Sequence, residues 1–206
     1  AAVEARAPRM IELAWGEPGR PLVALVGKGV VFDTGGLDIK PSSGMRLMKK
    51  DMGGAAHVLA LARMIMAADL PVRLAVLIPV VENAISGDAM RPGDVLASRK
   101  GLTIEVDNTD AEGRLTLADV LCYASELEPG TILDIATLTG SCHIALGDYS
   151  AGLFSPDEKV VSELMEASRI SGERLWPFPM DDARLRLKLK SDVADLVNGG
   201  SRYGGA

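Results

Sequence analysis

Residues 55–80 read AAHVLALARMIMAADLPVRLAVLIPV, and two periodicities follow one another within them. Ala55, Val58, Leu59, Ala62, Ile65 and Met66 recur at the i, i+3, i+4, i+7 spacing of one helix face. Leu61 and Met64 fill the other side, so this helix is expected to be covered on most faces. Residues 72–80 are β-branched and apolar without alternation, over the length of a buried strand. A helix leading into a buried strand is the alternation of an α/β fold. The chain continues it on both sides. Residues 10–15 and 21–26 are strand-like around the turn Gly16-Glu17-Pro18-Gly19, and residues 30–32 extend the chain further. Residues 103–106 and 131–135 are further strands, and residues 115–127 read as a helix. Ser155-Pro156-Asp157-Glu158 combines an N-cap Ser, a first-turn Pro and a capping-box Glu, opening a helix to about residue 168. Residues 184–190 alternate charge and Leu, as in a strand with one wet face, though Leu185 and Leu189 at i, i+4 also permit a short helix. The expected architecture is α/β: a mixed, mostly parallel central sheet with helices on both faces, undivided by any linker.

Composition limits the chemistry. Hydrophobic residues are 48% of the 206 and aromatics 4%, so the core must be Ala, Leu, Val, Ile and Met. The net charge of −6 disfavours a nucleic-acid binder, which needs cations to displace counterions from phosphates. Two His and two Cys rule out a Cys-rich zinc module, a disulfide framework and a His-rich metal site, so any metal must be held mainly by oxygen. Cys122 and Cys142 form no CxxC and read as buried free thiols in a reducing cytosol. The longest strongly apolar run, residues 74–81, falls far short of the roughly 20 residues of a membrane span. Residues 1–10 carry Glu4, Arg6 and Arg9 with no apolar stretch, unlike a signal peptide, so a cytoplasmic location is expected. The chain begins without Met and stops at Ser201-Arg202-Tyr203-Gly204-Gly205-Ala206, which reads as an excerpt of something longer.

Three segments concentrate small and charged residues: residues 27–36 with Asp38-Ile39-Lys40, residues 49–54, and residues 107–114. On an extended segment, Asp110 and Glu112 would share one face, where they repel unless a cation lies between them. Asp33 ends a hydrophobic strand, and Asp51 stands where a helix N-cap would be. Strand ends and helix starts are where an open α/β sheet builds its site. Taken singly, Asp51 is a cap, Asp33 a turn residue, Asp110 and Glu112 an acidic turn, and Lys28 and Lys40 solvated charges. Taken together, one cation cluster explains all four carboxylates. A nucleotide motif is incomplete at Gly27-Lys28-Gly29. An EF-hand fit of Asn108, Asp110, Glu112, Gly113 and Asp119 lacks the preceding helix.

These residues closely resemble the catalytic domain of the cytosolic leucyl aminopeptidase family, the two-metal exopeptidases. Asn108-Thr109-Asp110-Ala111-Glu112-Gly113-Arg114-Leu115 is similar to that family's signature octapeptide, and residues 27–56 to its other metal segment. The resemblance runs from about Pro8 to Ala206 and includes Asp195 and Asn198 in a late segment. It implies two divalent ions, Zn2+ or Mn2+. Lys28, Asp33, Asp51 and Glu112 would hold one; Asp33, Asp110 and Glu112 would hold the other, with the Asp110 carbonyl helping. Lys28 can ligate only as the neutral amine and must shed its proton. Lys40 would stay charged against an oxyanion, and Arg114 would hold a bicarbonate acting as general base. The substrate's free α-amine would coordinate a metal, which would restrict the enzyme to N-termini. Met48, Thr137 and Gly140 would shape the pocket for the N-terminal side chain. It also implies a short helix over residues 184–190, peptide substrates with leucine or another apolar N-terminus, and a homo-hexamer in the full-length protein. Residues 1–206 would be one catalytic domain, lacking the family's N-terminal domain and final C-terminal segment. The alternatives are an inactive truncated fragment and a non-enzymatic, DNA-associated regulator.

Overall fold

The chain, described by a computed structural model, is defined over residues 6–180 and 182–200. The chain ends read above, residues 1–5 and 201–206, lie outside the described residues. Two compact units form, one from Ala1–Leu138 with Lys190–Gly199 and the other from Thr139–Leu189, each counted over its described part.

In the first unit, β1 (Arg9–Trp15), β2 (Leu22–Gly27) and β3 (Gly29–Asp33) precede α1 (Ser42–Met45), a 3-10 turn (Met48–Lys50) and α2 (Gly53–Ala67). Then follow β4 (Arg73–Asn83), the short strands β5 (Val95–Ala97) and β6 (Thr103–Glu105), α3 (Glu112–Glu126) and β7 (Thr131–Ile135). The central sheet runs β1-β4-β2-β7. β4, β2 and β7 are parallel, and β1 is antiparallel at the edge. β3 continues beside β4 beyond the end of β2, so β2 and β3 are one strand broken at Lys28.

Both faces of the sheet are apolar, because adjacent residues of a strand point to opposite sides. Leu25, Leu74, Val76 and Ile78 pack beneath Ala55, Val58 and Ala62 of α2. Ala24, Val26 and Leu77 pack on the other face against Leu117, Val120 and Ala124 of α3. Each fully buried Leu, Ile or Val contributes on the order of 1.5–3 kcal/mol. The expected class, a mixed and mostly parallel sheet with helices on both faces, is what the chain adopts. One detail differs: α2 is covered on a single face, and Leu59 and Met64 are exposed. A helix lying on a flat sheet presents only one stripe to it.

In the second unit, α4 (Gly140–Leu146), β8 (Ala151–Leu153), α5 (Glu158–Ser171), β9 (Leu175–Pro177) and α6 (Asp182–Leu187) follow in order. β8 and β9 pair in parallel, and Phe154 stacks on Phe178 with ring centroids 5.0 Å apart. The cap of α5 is Asp157, whose carboxylate accepts from Lys159 N and Val160 N, rather than the expected Ser155. Ser155 Oγ instead accepts from Asp157 N in the turn before the helix. The helical alternative for residues 184–190 prevails over the strand. The chain then returns to the first unit, where β10 (Leu196–Val197) pairs in parallel with β6. Cys122 and Cys142 are free but only half-buried, not the buried thiols expected. No helix of the described residues is long and apolar enough to cross a membrane.

Candidate metal centre

β2 and β7 end together, β3 and β4 end together further along, and the polar residues collect about these ends. Gly54, near the start of α2, makes this approach possible: a Cβ there would overlap the Ile135 carbonyl oxygen of β7. The backbone of Lys28 is held from both sides, its N–H donating to Ile135 O (3.0 Å) and its carbonyl accepting from Ala55 N (2.9 Å). The strand break therefore aims the Lys28 side chain past the ends of β2 and β7. Lys28 is 3% exposed, unlike the solvated charge that a surface lysine would be. Its Nζ lies 2.8 Å from Asp51 Oδ2 and 3.1 Å from Glu112 Oε1, and donates to Thr137 O at 3.3 Å.

Asp51 is 1% exposed and caps no helix. The N-cap position of α2 belongs to Met52, which makes no side-chain cap. Asp51 instead points inward, with Thr137 Oγ1 donating to its Oδ1 at 2.7 Å. Asp33, the last residue of β3, does make its turn: Gly35 N donates to its Oδ1 at 2.9 Å. Gly35 has φ of +86°, which a residue with a Cβ adopts only at a cost. The other oxygen, Asp33 Oδ2, faces Lys40 Nζ at 2.9 Å. Lys40 also reaches Asp110 Oδ1 at 2.5 Å.

Asp110 and Glu112 do converge, but not through an extended segment. Asp110 sits in a turn in which Ala111 N donates to Asn108 O, and Glu112 is the first residue of α3. Because β6 rather than a helix precedes the loop, the EF-hand alternative is excluded. The loop is held from two directions. Thr109, fully buried, donates from Oγ1 to Gly35 O (2.6 Å), and its N–H donates to Asp38 Oδ2 (2.7 Å). Asn198, also buried, accepts from Asp107 N (3.0 Å) and donates to Asn108 O (2.8 Å) and Ala111 O (3.3 Å). Asp195 fixes the same segment by accepting from Thr103 N and Oγ1, bonds that hold its carboxyl below the usual range.

Four carboxylates thus face Lys28 and Lys40 in the cluster, and the more exposed Lys50 approaches Asp51 Oδ1 at 3.2 Å from outside. Burial raises the Glu112 carboxyl, with Lys28 drawing it back and Asp33 pushing it further up. Burial likewise raises Asp110, outweighing Lys40. At Lys40 burial acts to lower the amine, yet hydrogen bonds to Asp110 and Asp33 raise it on balance. The two partners differ because Lys40 serves two carboxylates, so neither is fully compensated. Ligand atoms of Asp33, Asp110 and Glu112 lie within 4.8 Å of one another. Asp51 Oδ2 and Asp110 Oδ1 each lie against a lysine, 2.8 Å from Lys28 Nζ and 2.5 Å from Lys40 Nζ. Four converging carboxylates make an oxygen-rich set that suits hard divalent cations.

The remaining expected residues are more dispersed. Arg114 is half-buried on the first turn of α3 and makes no hydrogen bond or ion pair among the described residues. Met48 is half-buried in the 3-10 turn that delivers Asp51. Thr137 follows β7 and contacts Asp51 and Lys28, while Gly140 opens α4 in the second unit. Sequence reasoning missed Asn83, a buried amide at the end of β4 that contacts Asp33 and Glu112. A polar residue closing a long apolar parallel strand was the available signal. Beside Asn83, Gly36 and Glu112 lies a cavity of about 370 Å³, walled further by Ile85, Met90 and Leu115.

Comparison with known proteins agrees with this geometry. The profile of the cytosol aminopeptidase family, catalytic domain, matches residues 1–206. The probable cytosol aminopeptidase of Aquifex aeolicus is 52% identical over 201 residues, covering 97% of this chain and 41% of that protein. That of Synechococcus sp. (strain JA-3-3Ab) is 50% identical over 204 residues, covering 97% and 40%. Among solved structures, the cytosol aminopeptidase from Coxiella burnetii superposes with a TM-score of 0.92 at 52% identity, covering 96% of this chain and 43% of that one. The bottromycin maturation enzyme BotP in complex with Mn superposes at 0.89 with 42% identity, covering 96% and 44%. The chain spans about two fifths of the length of the curated relatives it matches.

Proposed function

The chain belongs to the cytosol aminopeptidase family, and we propose that it carries the catalytic centre of a metal-dependent aminopeptidase releasing leucine or another apolar residue from peptide N-termini. The observation that carries this reading is the convergence of Lys28, Asp33, Asp51, Asp110 and Glu112 with Lys40 at the ends of three parallel strands. The first five would hold two divalent ions, Zn2+ or Mn2+; the Mn complex of BotP supports manganese. Two such ions, when bound, supply Lewis acidity and a water acidic enough to attack a carbonyl at neutral pH.

The chain's own residues have the following parts. Lys28, shielded from water, would hold an ion only as the neutral amine. Lys40 keeps its charge and stabilises the negative oxygen of the attacked carbonyl. Removing one such electrostatic contact typically costs about 10²–10³ in rate. Arg114, with no protein partner among the described residues, offers its fork to a planar anion such as bicarbonate. Met48 and Thr137 would border the pocket for the N-terminal side chain. A cytoplasmic setting, in keeping with the relatives' name of cytosol aminopeptidase, and hexamer assembly of the full-length protein, which rests on the sequence resemblance alone, complete the proposal. A DNA-associated role is not favoured, given the family and the net charge of −6.

The test is hydrolysis of leucine p-nitroanilide with added Mn2+ or Zn2+. Activity is expected with metal and lost on exhaustive chelation. Turnover that survives chelation would overturn the two-metal reading, and none under any metal would overturn the aminopeptidase reading.

A further inference from the structure

We infer that Asn83 is a positioning residue that sorts the carboxylate oxygens of the metal centre, an inference resting on the metal-centre reading above. Asn83 ends β4 in register with Asp33, the end of β3, and is 7% exposed. Its backbone carbonyl is fixed by Thr34, which donates from N (2.9 Å) and Oγ1 (2.8 Å). Its amide nitrogen donates to Asp33 Oδ1 at 2.8 Å, Thr109 O at 3.0 Å and Glu112 Oε2 at 3.3 Å. The amide nitrogen has two hydrogens for these three acceptors, so its donors are fully engaged.

The consequence lies in the oxygens it leaves over. Asp33 Oδ2 and Glu112 Oε1 are the atoms turned toward Lys40 and Lys28. One oxygen of each carboxylate is thereby committed to a neutral donor and the other is kept for a cation. A lysine in this place would add charge and compete with a metal ion. A carboxylate would repel both neighbours. The carboxamide orients both groups without doing either, and its contact to Thr109 O ties the pair to the octapeptide loop. Asn83 touches the two carboxylates and acts on a bound ion only through them.

The experiment is Mn2+ titration by calorimetry of the protein and of Asn83→Ala, with Val76→Ala as a control. Val76 is 1% exposed in the sheet core, so its truncation destabilises the fold outside the centre. Asn83→Ala is expected to weaken Mn2+ binding about 10–100-fold, the usual loss when an outer partner of a ligand is removed. Val76→Ala is expected to leave Mn2+ affinity unchanged while lowering the thermal midpoint. Should Asn83→Ala not fold, Asn83→Ser, whose hydroxyl is too short to span both carboxylates, is expected to show the same loss. Wild-type affinity in the folded Asn83 variant, or an equal loss in Val76→Ala, overturns the inference alone. Failure of the unaltered protein to bind Mn2+ overturns the metal-centre reading, and this inference with it.

Discussion

Glu112 is a carboxylate held where its charge is disfavoured. Burial raises its pKa, and Asp33 adds to the rise while Lys28 opposes it. A carboxyl raised in the folded state binds more protons folded than unfolded between the two pKa values. Stability of the metal-free protein therefore falls as pH climbs from the ordinary carboxylate range through the raised value. Asp110 acts in the same sense. Glu112→Gln keeps the shape and removes the charge. It is expected to raise the thermal midpoint of the metal-free protein at pH 7 and flatten its decline above the ordinary carboxylate range. The same change removes a proposed ligand, so Mn2+ binding should weaken by more than about 100-fold, beyond the effect of an outer partner. Thermal melts across that pH range, with and without Mn2+, check both halves; a lower metal-free midpoint at pH 7 would contradict the argument. At this scale the sequence was informative about charge and silent about orientation. Asp33, Asp51, Asp110 and Glu112 were visible as carboxylates beside glycines at strand and helix ends. Asn83 was not, because its role depends on standing opposite Asp33 in a neighbouring strand.

At the scale of elements, the approach of α2 to the strand ends rests on an absent side chain. A Cβ on Gly54 would overlap Ile135 O and lie 2.8 Å from Lys28 N, both of them backbone atoms that cannot swing aside. Gly54→Ala is expected to destabilise the protein by about 1–3 kcal/mol or more, as overpacking does. Urea denaturation should show a lower midpoint at an unchanged m-value; an unchanged midpoint would mean that α2 slides without cost. The long elements were legible because their periodicity is decisive over many residues. Three-residue strands such as β5 and β8 carry no periodicity to read. The start of α5 was read two residues early because two good capping residues, Ser155 and Asp157, stand on either side of Pro156. Only the path of the backbone decides between them.

Over the molecule as a whole, the centre draws on pieces of chain that are remote in sequence. Divalent ions bound there should stabilise the folded state by about 2.7 kcal/mol at a hundredfold excess over the dissociation constant. Hydrogen exchange read by mass spectrometry should show the added protection in residues 27–54, 80–84, 107–114 and 196–199 together. Protection confined to one of these segments would contradict a shared site. The meeting of residues 27–56 with the octapeptide was anticipated from their shared density of carboxylates and from the resemblance. The register that brings Asn83 and Asn198 to it is a property of strand pairing, which no single segment encodes.

The break between β2 and β3 at Lys28 carries a consequence for the order in which the molecule forms. Lys28 meets Thr137 across 109 residues, Thr109 meets Asp38 across 71, and Asn198 meets Asn108 across 90. Closing such loops is entropically costly and slow, and parallel pairing must come first. While β2, β4 and β7 are still unpaired, the lysine and the four carboxylates are strangers along the chain, and a cation finds no pocket to nucleate. An ion bound there would thus be a late guest: it would seal a framework that the apolar strands have already raised, and its arrival should slow unfolding more than it hastens folding.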